Sequence, residues 1–587
     1  MGIIGVFPQR QHIAQSQDDF DVSDYRTTMI RMLGAVNDAR LGGGNRAVFD
    51  AVINSGDPLY IAPLIDLAFF TRGTTIGSSD VGTAIFEGIQ LLSNQDFGNS
   101  WENYFQWAGE QDIPLPPSYD EFKGLLFSSL IDPNFERFFR PGTLDTTQIN
   151  LVEVVWGGVM VDGIPSLVNA RQITPEEANA EGESLTRFCS GEDCSYPSTN
   201  ELVFGVSING DNRAYPLRLL NWHEMFNDII GHAPLYEEPN GEAICNFRAP
   251  VEFHAIARLG DDWVQINGDS AGCTSEGNWL ETTNIDWMIH DWESVRNRLP
   301  DIDADEAALE QGGVLGRVDG TPVMLAYCTL CGAGILYDTT IPDLIVNGES
   351  RGATVLEFGS TGLLMRSNKL MYDRTTNTVW NALTGEPAFG PLAESGLRLP
   401  ILPVVVTDWA TWLEEHPDTS VLSLDTGYRR DYTNGAAYGD YFNNPNFIMF
   451  PVWQQDTESQ TNKEMIFALN ISETPKAYPL RLLIPEQVTN DTLAGQNIVI
   501  IAHQTPDRSF FEPGGAAVRA YDRGHHTFAV GESDSVVVDE AGIVWEITED
   551  VLASPDGETL GRLGGHLAYW FGWYAYYPDT LVYGETE

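Results

Sequence analysis

One heptapeptide occurs twice in this chain. Ala214-Tyr215-Pro216-Leu217-Arg218-Leu219-Leu220 returns as Ala477-Tyr478-Pro479-Leu480-Arg481-Leu482-Leu483, and Phe204-Gly205-Val206 or Phe467-Ala468-Leu469 precedes each copy at the same distance. A second anchor follows with its own fixed offsets. Trp409, Trp412 and Pro417-Asp418-Thr419 recur as Trp570, Trp573 and Pro578-Asp579-Thr580. Between the anchors, Asp373 and Trp380 answer Asp539 and Trp545. Self-similarity on this scale constrains the fold more than any local propensity, because one supersecondary plan has to serve two places. Each copy reads as a strand, a short helix, further strands, a Trp-bearing hairpin and a closing helix that ends at Pro-Asp-Thr.

The expected fold class is α+β, with a helical N-terminal domain followed by two related antiparallel-sheet-rich units that arose by internal duplication. A chain of 587 residues is too long for one core. Residues 1–145 read as helical. Ser23 is placed to cap a segment through Tyr25, Met29, Met32, Leu33 and Val36, spaced three and four apart. Further segments follow at 47–53, 59–70, 83–92 and 120–131, in the manner of stacked short helices. From about 146 the valine-rich texture favours strands. The first repeat unit spans 146–430 and the second, degenerate one 431–587. The first carries roughly 80 extra residues, about 240–320, enough for a subdomain or a lid.

The 84 acidic side chains outnumber the 32 basic ones and leave a formal net charge of −52. Four of the basic residues are lysines: Lys123, Lys369, Lys463 and Lys476. Such a surface repels phosphates, so no nucleic acid is expected as a partner, and anionic membranes are disfavoured. The charge reads first as a solubility device suited to salty water, and second as a surface for cations or a basic partner. No apolar run reaches membrane-spanning length. Protein partners through the helical domain, and a homo-oligomer, are the associations the sequence leaves open. The opening MGIIGVFPQRQHIAQSQ is too short in its apolar part for a secretion signal, so export would require a leader that has been removed or replaced.

Six cysteines, Cys189, Cys194, Cys245, Cys273, Cys328 and Cys331, are compatible with three disulfides. Cys189 and Cys194 are spaced for a local bridge, and Cys245 with Cys273 reads as a longer one, with a four-thiolate zinc site as its alternative. Tyr327-Cys328-Thr329-Leu330-Cys331-Gly332 is the one stretch where sulfur is pre-arranged, as a tight knuckle between two strands. The second copy has His503-Gln504 in that place, so the thiols are not needed to close the fold. Three readings stand: a metal ion held by both thiolates, a cycling dithiol–disulfide pair, or an inert staple. A metal would need more ligands. His223, in Trp222-His223-Glu224-Met225, is the candidate third, because the second copy has Pro485-Glu486-Gln487 there and loses it together with the thiols. Met371 is the candidate fourth. Two Cys, one His and one Met would suit copper better than zinc. Asp373 and Arg374 read as a turn or an ion pair.

Four stretches, FGVSINGDNRAYPLRLLNWHEMFNDIIG, YCTLCGAGILYD, FGSTGLLMRSNKLMYDRTTNTVW and WATWLEEHPDTSVL, resemble the domain-of-unknown-function family 3179 over roughly 150–425, with an echo from about 465 to 585. That family commonly has Pro inside the knuckle, where this chain has Thr329. The resemblance implies an exported bacterial protein, periplasmic, cell-surface or extracellular, and supplies no reaction. The expected function is therefore metal binding or thiol redox at the knuckle. The competing expectation is a secreted or cell-surface structural or interaction protein with all its cysteines paired.

Overall fold

The computed structural model describes residues 21–585 apart from 75, 78, 141–142, 184–194, 271–272, 275–276, 287–291, 303–312, 319, 453, 457–459 and 506–514. Cys189 and Cys194 thus lie outside the described residues. The architecture is α+β, with helices followed by antiparallel sheets, and two compact units divide after Leu126. The division falls earlier than the expected boundary near 145, and residues 127–587 form one unit rather than two. The reason for the earlier boundary is aromatic. Phe127 meets Phe135 and Phe139, Phe138 lies 5.0 Å from the Tyr372 ring, and Phe139 lies 5.2 Å from that of Phe389.

In the N-terminal unit, Tyr25–Arg40 buries Met29, Met32, Leu33 and Val36 on one face. Its cap is Asp24, which accepts from Thr27 N, rather than the expected Ser23. Ile61–Thr71 is buried on nearly every side, as a central helix must be. A helix absent from the sequence reading, Trp101–Gly109, starts at a Ser100 cap and buries Trp101, Tyr104, Phe105 and Ala108. Lys123 is fully buried, 3.0 Å from Asp66, which also accepts from Tyr119.

In the larger unit, the two stretches that carry the heptapeptide make the same contacts. Leu202–Ile208 pairs with Asp211–Pro216, and Met465–Ile471 with Thr474–Pro479. A parallel strand borders each hairpin on one side, Ser420–Leu422 or Leu581–Val582, and an antiparallel strand on the other, Val405–Asp408 or His566–Tyr569. A proline with extended backbone opens each short helix, Leu217–His223 or Leu480–Glu486. The strands that follow, Met225–Ile230 and Val488–Leu493, pair with Thr321–Cys328 and Gln496–Gln504, placing Met225 opposite Ala326 and Val488 opposite Ile501.

Buried polar groups recur as well. Trp412 Nε1 donates to Thr419 Oγ1 at 2.8 Å, and Trp573 Nε1 to Thr580 Oγ1 at 2.9 Å. Tyr215 donates to Asp228 at 2.6 Å, and Tyr478 to Asp491 at 2.8 Å. Asn227 both donates to and accepts from the backbone of Phe358, as Asn490 does with Phe528. Each asparagine side chain satisfies the backbone of a strand that is not its ladder neighbour, across two sheets at Asn227 and across the two edges of one eight-stranded sheet at Asn490. Asp373 accepts from Trp380 Nε1 at 2.9 Å, and Asp539 from Trp545 Nε1 at 3.1 Å. Asp373 and Arg374 do not pair with each other, because Arg374 instead holds Asp162 and Glu357.

The extra residues of the first stretch build a seven-stranded antiparallel sheet from His232–Tyr236 to Val314–Val318. Its own core includes Leu235, Phe247, Phe253, Val264 and Leu280. A disulfide between Cys245 and Cys273 ties it, which removes both from any four-thiolate zinc site.

Candidate functional site

The knuckle forms where Thr321–Cys328 turns into Ala333–Asp338, with Cys331 N bonded to Cys328 O at 3.1 Å. Gly332 has φ +60, the left-handed region that favours glycine, and a Cβ there would press on the Tyr569 ring at 3.1 Å. The C-terminal stretch closes over the turn. Tyr569 N donates to Cys331 O at 2.7 Å. A Cβ on Gly572, in the helix Trp570–Tyr574, would meet the Cys331 Cβ at 2.9 Å. Cys328 and Cys331 form a disulfide, their Cα atoms 5.4 Å apart. The Ser367 carbonyl lies 3.1 Å from Cys331 Sγ and 4.0 Å from Cys328 Sγ. The left-handed turn Arg366-Ser367, with φ of 48° and 62°, presents it.

The two sulfurs differ in surroundings. Cys331 is fully buried, whereas Cys328 forms part of the wall of a cavity of about 50 Å³. Glu224, Thr329, Lys369, Tyr438 and Phe450 line the same cavity. Glu224 sits in the left-handed conformation that ends the helix Leu217–His223, its N–H returning to Leu220 O and its carbonyl accepting from Tyr327 N at 2.8 Å. Its carboxylate lies 3.1 Å from Lys369 Nζ and 3.4 Å from Thr329 Oγ1. Burial pulls the Lys369 ammonium below its ordinary value, against the opposing charge of Glu224. Burial first, and the Glu224 charge second, push the Tyr438 hydroxyl up. The cavity wall therefore carries one polarisable sulfur beside one buried ion pair.

The structure unites Cys328 with Cys331 and seats Met371 in the same apolar cluster, together with Met225 and Trp380. It does not bring His223 to them. That imidazole spends both nitrogens elsewhere, Nδ1 2.9 Å from Pro165 O and Nε2 2.7 Å from the Tyr432 hydroxyl. Burial lowers its pKa to about 4. The expected set of Cys328, Cys331, His223 and Met371 is thus not assembled around one point. Among the described residues, the group of three His, Cys, Asp or Glu side chains close enough to share an ion is Glu415, His416 and Glu549. Arg519 and Arg562 already neutralise Glu549 there. The sequence reading passed over Glu224 and Lys369 as site residues. Two signals could have found them: lysine is scarce, and Gln487 occupies the place of Glu224 in the second copy.

The fold and site define an α+β protein whose sheets bury a two-cysteine turn beside a buried carboxylate–ammonium pair. A family profile described as "Protein of unknown function (DUF3179)" matches residues 161–236 and 314–580, and the chain belongs to that family. The match runs through both heptapeptide stretches, over the 150–425 region and the expected echo alike, and it breaks where the extra sheet is inserted. No curated protein and no solved structure matches the chain. No helix among the described residues is long and apolar enough to cross a membrane.

Proposed function

We propose that this is a thiol–disulfide redox protein that cycles Cys328 and Cys331 between disulfide and dithiol outside the cytoplasm. The observation that carries the reading is the shared cavity, in which Cys328, Glu224 and Lys369 meet. In the oxidising direction a dithiol substrate supplies the electrons. Its first thiol passes a proton to the Glu224 carboxylate and attacks Cys328 Sγ. The Cys328–Cys331 bond breaks, and Cys331 leaves as a thiolate that takes up a proton and turns its S–H toward Ser367 O. The substrate's second thiol attacks the mixed disulfide and expels Cys328. Substrate dithiol becomes disulfide, and the protein gains two electrons and two protons. Lys369 Nζ, 3.1 Å away, positions the Glu224 carboxylate at the cavity wall. The Cys245–Cys273 bridge supports an oxidising compartment. The matching contacts of the two heptapeptide stretches support their origin by duplication, with the redox pair kept in the first alone.

The test is a titration of the folded protein against dithiothreitol, with alkylation and mass spectrometry. Reversible reduction, with Cys328 alkylated before Cys331, is the expected outcome. A bond that opens only when the protein unfolds would sink the proposal. It would favour the second reading, a secreted or cell-surface structural protein, toward which the near-complete burial of both sulfurs points.

A further inference from the structure

The cavity beside Cys328 is too small to hold a reactant whole. At about 50 Å³ it lies far below the ~300 Å³ at which small-molecule sites begin. It has room for a few waters, or for one methylene and its thiol. A reactant therefore reaches the sulfur with a slender end and leaves its body outside, against the mouth. That mouth is apolar. Met449 lines the cavity and is nevertheless 43% exposed, and Phe447, just before it, is 45% exposed. The Phe447 ring lies 5.9 Å from that of Tyr441, whose hydroxyl donates to the Leu330 carbonyl of the knuckle at 2.7 Å. The same segment is fixed where Ser367 Oγ donates to Pro451 O at 2.8 Å and Lys463 Nζ to Tyr441 O at 2.7 Å. Val159 also lines the cavity, and Met160 follows it, 58% exposed. The Met160 carbonyl oxygen lies 3.0 Å from where a Cβ on Gly362, part of the same wall, would stand. Every other methionine among the described residues is buried.

Exposed apolar side chains scattered singly need no explanation, but gathered round a reactive sulfur they mark a contact surface. Methionine, unbranched and polarisable, suits a surface that meets apolar side chains of varied shape. A free small thiol would leave this rim in water, whereas a polypeptide covers it with the residues beside its cysteine. The net charge of −52 turns acidic partners away. We propose that this mouth docks an extended, non-acidic polypeptide, which lowers a cysteine to Cys328 and rests the adjacent apolar side chains on Met160, Phe447 and Met449. That segment supplies the dithiol of the redox cycle above, and its assignment rests on that reading.

Binding to the full chain is measured by fluorescence anisotropy, with labelled neutral peptides that carry serine in place of cysteine and Leu, Phe or Val on both flanks. Peptides with Ser or Glu flanks are the controls. At least one apolar peptide is expected to bind at least ~10-fold more tightly than either control. Met449→Asp and Met160→Asp each weaken it by about the same factor, and if one variant does not fold, the other decides. Equal binding of all peptides, binding by none, or affinity unchanged in the variants overturns the proposal. Self-association of the chain that Met449→Asp abolishes assigns the mouth to a second copy and overturns it too. Serine peptides bind without opening the disulfide, so this failure is distinct from a failure of dithiothreitol to reduce the folded protein.

Discussion

The two heptapeptide stretches share a scaffold and differ in what they place on it. Both short helices end in a residue of positive φ, 54° at Glu224 and 60° at Gln487, and both carbonyls there accept from the facing strand at 2.8 Å, from Tyr327 N and Ala502 N. The next residues along those strands are Cys328 and His503. The left-handed cap and its hydrogen bond are therefore needed in both places, whereas the carboxylate and the thiols are present in one. That difference, with a buried lysine beside it, is what supports the proposed redox role. The ion pairs behind the helices differ in the same sense. Arg213 is sealed between Asp211 and Asp228. Lys476 and Asp491 remain partly open to solvent.

The sharpest break of this comparison is Cys328→Ser with Cys331→Ser. Exchange with dithiols is expected to vanish while the fold persists, because the second stretch holds its sheet without thiols. A bridge closing so short a loop is worth about 2 kcal/mol, so the cost appears as a modest fall in Tm. Unfolding of the double variant would contradict the reading.

Next comes the buried pair. Asp228→Ala removes the acceptor of the buried Tyr215 hydroxyl and leaves Arg213 with Asp211 alone, and it is expected to cost about 3–5 kcal/mol. Asp491→Ala leaves Lys476 partly open to water but takes the acceptor from the buried Tyr478 hydroxyl, and it is expected to cost less, about 1–2 kcal/mol. Urea denaturation of both variants measures the difference, and equal costs would remove the contrast.

Acid comes third. His223 and His566 are held neutral, each with a folded pKa of about 4 against an unfolded value of about 6.5. Between those values the unfolded chain binds the protons, so stability falls as pH drops from about 6.5 to about 4 and levels off below. Each histidine accounts for roughly 3 kcal/mol at most. His223→Phe should flatten its share of the slope in a pH series of denaturation curves, and an unchanged slope would show that His223 is not held neutral.

The smallest effect expected is the most specific. Glu224→Gln copies the second stretch into the first. It should slow exchange by about tenfold, or ~1.4 kcal/mol in the barrier, leaving the midpoint potential nearly in place. A stopped-flow rate equal to that of the parent would remove Glu224 from the proton path.

Much of the scaffold was legible. The heptapeptide and the Trp–Thr anchors marked hairpins, short helices and closing helices at their observed places, because periodicity and proline act within a few residues. Cys328 and Cys331 were legible as a pair for the same reason. His223 misled because its loss alongside the thiols suggested a shared role. Its nitrogens instead tie Pro165 to Tyr432, far along the chain on either side.

By itself the sequence determined the strands, the turn at Cys328-Thr329-Leu330-Cys331 and the recurrence of one plan. Only the tertiary structure decided what faces the sulfur. Glu224, Lys369 and Gly572 reach the knuckle from three distant segments. They meet it through the register of Met225–Ile230 on Thr321–Cys328, the turn at Arg366-Ser367, and the seating of Trp570–Tyr574. Local propensity sets the conformation of a few consecutive residues. The meeting of side chains depends on nonlocal pairing, which no single stretch encodes.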